Sequence, residues 1–123
     1  MAGRTDGARV FRVRKPRARL HCVWMRLLAP FHHLAKADEA FAAALLDRRA
    51  GLAAEGRVGE LLSREGRRLL AEATGASEVS VNVHIHKLRK AGVLGERDFN
   101  PLFVPEPGEG GLSLTFKIEF DGD

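Results

Sequence analysis

The chain has 123 residues with 45% hydrophobic and 29% charged side chains, which suits one folded domain and excludes a wholly disordered chain. No apolar run approaches the roughly 20 residues of a membrane span, and the basic N-terminus, broken by Pro16 and several arginines, is not a secretory signal. Cys22 is the one cysteine, which excludes an internal disulfide framework and points to a reducing, cytoplasmic compartment.

Formal charge is +4 and the isoelectric point about 9.8, which favours a polyanionic partner such as nucleic acid. The charge is unevenly placed. Residues 1–26 carry eight cations against Asp6 alone, whereas residues 96–123 carry seven carboxylates against Arg97 and Lys117. The expected organisation is a basic arm over 1–15, a domain over 16–120 and an acidic tail over 121–123. Arginine outnumbers lysine 15 to 5; the guanidinium fork suits phosphate, although a GC-rich coding sequence also yields such an excess.

Residues 9–14 read as a short strand or an extended arm. Pro16 suits the first turn of a helix, and apolar residues at 20, 23, 24, 27 and 28 have helical spacing up to Pro30. Asp38 is the expected N-cap of a helix through Phe41, Leu45 and Leu46 to about Ala54, closed by Gly56. Residues 57–62 form a short turn or helix. Ser63 then caps a helix from Arg64 to Thr74, with Leu69, Leu70 and Ala73 inward and Gly75 as its stop.

Residues 77–92 fit two templates. Val79 to His86 alternates apolar and polar, as a strand does. Val81, Ile85, Leu88 and Ala91 also have helical spacing, and the cap Ser77, the late cations Lys87, Arg89 and Lys90 and the stop Gly92 favour a helix. The last third is expected to be β: Val93-Leu94, a turn at 95–98, Phe99 to Val104 and, after the Pro- and Gly-rich loop 105–111, an alternating strand over Leu112 to Phe120.

Helix, short turn, helix and two strands is the order of a winged helix-turn-helix, and Ser63 to Leu94 resembles that superfamily. Thr74-Gly75-Ala76-Ser77 is similar to its inter-helix turn, and Val81 to Leu94 to its recognition helix and exit. The following Asn100-Pro101-Leu102-Phe103-Val104-Pro105 resembles a segment of small phage-encoded winged-helix proteins. The resemblance covers roughly 35–120 and implies an α+β fold: a winged helix-turn-helix with an N-terminal basic arm and a C-terminal β-hairpin wing whose tip is 105–111. It implies a DNA-binding protein in transcription or replication control, in the host cytoplasm if phage-encoded.

In such a domain the N-terminal part of the recognition helix enters the major groove. Glu78, Val79, Ser80, Asn82, Val83 and His86 are the candidate base contacts. Asn82 suits adenine, Ser80 either base type, valines the thymine methyl and Glu78 a cytosine amino group. Arg64, Arg67, Arg68, Lys87, Arg89 and Lys90 are candidate phosphate contacts, joined by Arg9, Arg12, Arg14, Lys15 and Arg17 of the arm. The same helix can instead meet a protein partner, a reading favoured by its valines and by the acidic wing and tail, which suit a virion or assembly module. Trp24, Met25, Leu27 and Leu28 either complete the core or form a homodimer interface, and Cys22 is expected to be a small core residue. His84 and His86 diverge by about 200° on a helix, His21-Cys22 and His32-His33 match no zinc spacing, and no phosphate loop or catalytic motif is present. The expectation is a non-enzyme without metal or cofactor.

Overall fold

The computed structural model describes residues 12, 14–106, 112, 114–115 and 117–122. A short turn at Arg17–Arg19 leads into α1 (Leu20–Leu27), which buries Trp24 and Met25. Pro30 lies in the first turn of the four-residue α2 (Ala29–His32), which ends at His33 with φ 54°, the left-handed region. The long α3 (Lys36–Ala54) is the hub of the fold. It buries Phe41, Ala42, Ala43, Leu45, Leu46 and Leu52, residues spread widely round the helix because α1 packs on one side and α5 on another. After a turn at Val58–Glu60 come α4 (Arg64–Thr74) and α5 (Glu78–Lys90).

α4 starts where the sequence places it. The Ser63 hydroxyl accepts the Gly66 N–H at 3.0 Å, and Gly75 closes the helix at φ 73°. Gly66 has a further reason to be glycine, since a Cβ there would lie 2.3 Å from the Glu60 carbonyl oxygen and 2.6 Å from that of Leu61. The α4 backbone thus rests directly on the preceding turn. Ser77 likewise caps α5, accepting the Ser80 N–H at 3.1 Å, and Val81, Ile85 and Leu88 point into the core. The helical template prevails over the strand template because those three positions meet α3 and α4.

The expected α+β class and its β-hairpin wing are overturned. Among the described residues there is no strand, only a single antiparallel bridge between Leu94 and Phe99. The stretch read as the first wing strand is instead a turn at Pro101–Phe103. Asn100 caps it, accepting the Leu102 N–H at 3.1 Å, and its own amide donates to the Gly92 carbonyl at 3.1 Å. The Phe103 and Val104 N–H groups bond back to Asn100 and Pro101. With those amides engaged and Pro101 lacking one, the segment cannot serve as a ladder partner. Residues 112, 114–115 and 117–120 accordingly pair with no strand. The Asn-Pro segment is an anchor: Phe103 is buried, and its carbonyl accepts the Trp24 indole N–H at 2.9 Å. The wing tip and the start of the arm fall mostly on 107–111 and 1–11, outside the described residues.

Three smaller corrections concern α1 and α3. Asp38 is not a cap, since Ala35 holds that position without a side-chain bond; Asp38 sits in the first turn and is buried, where the helix dipole favours its charge. Cys22 is exposed, not a core residue. Leu27 also faces outward, while Trp24, Met25 and Leu28 join the core. No helix of the described residues is long and apolar enough to cross a membrane.

Candidate nucleic-acid interface

α4 and α5 are joined by three residues, with the Thr74 hydroxyl donating to the Leu70 carbonyl at 2.7 Å. The core stripe of α5 sets what its other side presents. Glu78, Val79, Asn82, Val83 and His86 are exposed, while Ser80 is half-buried. Val79 is 73% exposed and Val83 47% exposed, so neither valine contributes to the core. The candidate base-contact residues therefore share one outer surface, with Ser80 at its edge.

The candidate phosphate contacts divide. Arg64, Lys87 and Lys90 are exposed, and Lys87 lies 4.0 Å from the Asp38 carboxylate. Arg68 is held between Glu65 at 2.6 Å and Glu72. Its hydrogen bonds to the Glu65 carboxylate raise the Arg68 guanidinium above its ordinary range, and Arg68 holds the Glu65 carboxyl below its own. Its charge is compensated on the spot. Arg89 spans the helix exit, donating to the carbonyls of Gly95 at 3.1 Å and Glu96 at 2.7 Å. Arg67 is half-buried and donates through Nη1 to Asn82 Oδ1 at 3.2 Å, which ties α4 to the outer face of α5. Arg12, Arg14, Lys15 and Arg17 are exposed. Lys15 lines a groove between α1 and α3.

The support behind α5 is a cluster that local pattern does not disclose. His84 Nδ1 lies 2.6 Å from Asp38 Oδ1, and its ring stacks on Phe41 with centroids 4.7 Å apart. The pair joins residues 46 positions apart on α3 and α5. The one sequence signal is that His84 flanks the Val81–Ile85–Leu88 stripe; nothing near Asp38 in the chain marks its partner. His32 and His21 are also engaged. His32 Nδ1 accepts the Leu34 N–H at 2.9 Å, so its Nε2 carries the proton donated to the Met25 carbonyl. His21 lies 2.5 Å from Asp47. Among the described residues no cluster of three or more His, Cys, Asp or Glu has a metal-holding arrangement.

In comparisons with known proteins, the chain matches no family model, no curated protein and no solved structure.

Proposed function

We propose that this protein binds duplex DNA through the outer face of α5, with α4 as its supporting helix, and acts in transcription or replication control. The observation that carries the reading is Asn82. It stands exposed near the N-terminal end of α5, held by Arg67, between Val79 and Val83. An asparagine side chain can bond an adenine edge on two atoms, and valines suit the thymine methyl. Asn82 Oδ1 has two lone pairs, so the bond from Arg67 leaves one for the base. Arg64, Lys87 and Lys90 supply positive charge for phosphates. Glu78 on the same face accepts from a cytosine amino group and repels a phosphate, which bears on specificity.

A second reading is a protein partner on the same surface. It is favoured by the two exposed valines and by the compensation of Arg68. Titration of labelled duplexes, random and from the gene's own upstream region, at two salt concentrations separates the two. DNA reading predicts tighter, salt-resistant binding to the upstream duplex. Asn82→Ala then relaxes base preference, at about 1–3 kcal/mol of discrimination, whereas Lys90→Ala weakens all duplexes alike and flattens the salt slope. Equal loss on every duplex for both changes sinks base reading, and no binding to either duplex shifts the assignment to a protein partner.

A further inference from the structure

Among the described residues away from α5, two exposed apolar surfaces carry opposite charge. One is a groove of about 490 Å³ between α1 and α3. Its apolar lining is Val23, Leu27, Ala40 and Ala43, and Leu27 is 54% exposed. Lys15, Arg19, Arg26 and Lys36 line its sides, with Glu39 the one carboxylate among the lining residues. Arg26 approaches Glu39 at 3.4 Å, which leaves the rim cationic in balance. Lys36, Glu39, Ala40 and Ala43 lie on one side of α3, roughly half a turn of the helix from Asp38 and Phe41, which meet α5. The groove therefore faces away from the candidate DNA surface.

The other surface is the C-terminal segment. Ile118 is 78% exposed and Phe120 is 89% exposed. They are interleaved with Glu119 and Asp121, and Asp123 follows in the sequence. Lys117 is the one cation of this stretch and is paired with Glu119 at 3.0 Å. The segment thus offers large apolar side chains flanked by net negative charge, the complement of an apolar groove with a cationic rim.

We propose that the groove between α1 and α3 receives the C-terminal segment of a second copy of this chain, through Ile118 and Phe120, to form a reciprocal dimer. Within one chain the groove stands open while Ile118 and Phe120 remain exposed, so the segment does not fill its own groove. Two copies related by a two-fold axis each contribute one groove and one segment, and the exchange closes without a leftover surface. The acidic side chains of the segment then meet Arg19, Arg26 and Lys36 at the rim.

The test is the mass of the full chain by light scattering across a concentration series, in a reductant so that Cys22, exposed in the groove lining, forms no disulfide. The expected result is a concentration-dependent dimer. Leu27→Asp damages the groove and Phe120→Asp damages the segment; both side chains are exposed, so circular dichroism should show an unchanged helical fold. Each change alone is expected to weaken the dimer more than about tenfold. Mixing the two variants should recover part of the association, because the heterodimer retains one intact groove and one intact segment. A monomer at every concentration overturns the proposal. So does a dimer indifferent to both changes, and so does failure of the mixture to associate better than either variant alone.

Discussion

The α4–α5 hairpin and the junction of α1 with the Asn-Pro turn hold together in opposite ways. In the hairpin, each end is closed by a neighbour in sequence. Ser63 caps α4, Gly75 stops it and Ser77 caps α5, each bond reaching no more than three residues. In the junction, the polar ties span the chain. The Trp24 indole reaches Phe103 across 79 positions, and Arg49 reaches Asp98 across 49. Local caps contribute little individually and can form early. Long-range ties form only once α1, α3 and the 95–103 segment are assembled, and then lock that assembly.

The sharpest way to break the hairpin lies where it touches the preceding turn. Gly66→Ala should cost about 3 kcal/mol, since its methyl meets two backbone carbonyls that cannot swing aside as a side chain would; thermal denaturation followed by circular dichroism measures it. A change near neutral would mean that the Val58–Glu60 turn shifts freely.

Next in size is His84→Ala. It removes the partner of a buried carboxylate, and about 2–3 kcal/mol of destabilisation is expected. Combining it with Asp38→Ala should recover part of the loss, because the buried carboxyl that has lost its hydrogen bond is removed as well. Additive losses in that double-mutant cycle would show that the pair is not coupled.

Smaller again is Ser77→Ala, at about 1 kcal/mol by urea denaturation. The smallest effect is expected from Arg49→Ala, about 0.5–1 kcal/mol, because both partners are partly exposed and screened. Here pH sharpens the comparison. The hydrogen bonds from Arg49 hold the Asp98 carboxyl below its ordinary value. The bridge therefore stabilises the fold above the unfolded-state carboxyl pKa, about 3.9, and its contribution disappears as pH falls through the lower folded-state value. Wild type and Arg49→Ala should differ at neutral pH and converge in acid. Ser77→Ala, which involves no titrating group, should show a gap that does not close in that way.

The same division explains what the sequence discloses. The spans and caps of α4 and α5 are legible between Ser63 and Gly92, because period, cap residue and stop glycine sit within a few positions of one another, whereas α2 and the start of α3 are not. The outer face of α5 was legible too, once Val81, Ile85 and Leu88 were assigned inward. Asp38 has the residue type of a cap, but its partner, His84, lies in another helix. The role of Gly66 was hidden for a similar reason, since in sequence a glycine inside a helix registers only as a weak point. Residue type alone suggests a core position for Cys22, but two positions before Trp24 on a helix it points about 200° away and is exposed. The alternation from Leu112 to Phe120 identifies an apolar side but carries no information about whether a neighbouring strand has amides to offer. At Asn100 to Val104 those amides are engaged by a turn.

Trp24 is the only tryptophan, and the chain has no tyrosine. The near-ultraviolet emission of the protein therefore comes from one indole, sealed in the core with its N–H on the Phe103 carbonyl. Folded protein should emit toward the blue, and release of the Asn-Pro turn should shift the spectrum toward the red even while the helices persist. The molecule thus carries an intrinsic optical reporter for undocking of its C-terminal third, to be read beside ellipticity, which follows the helices. If the two signals part during denaturation, the junction opens before the bundle melts.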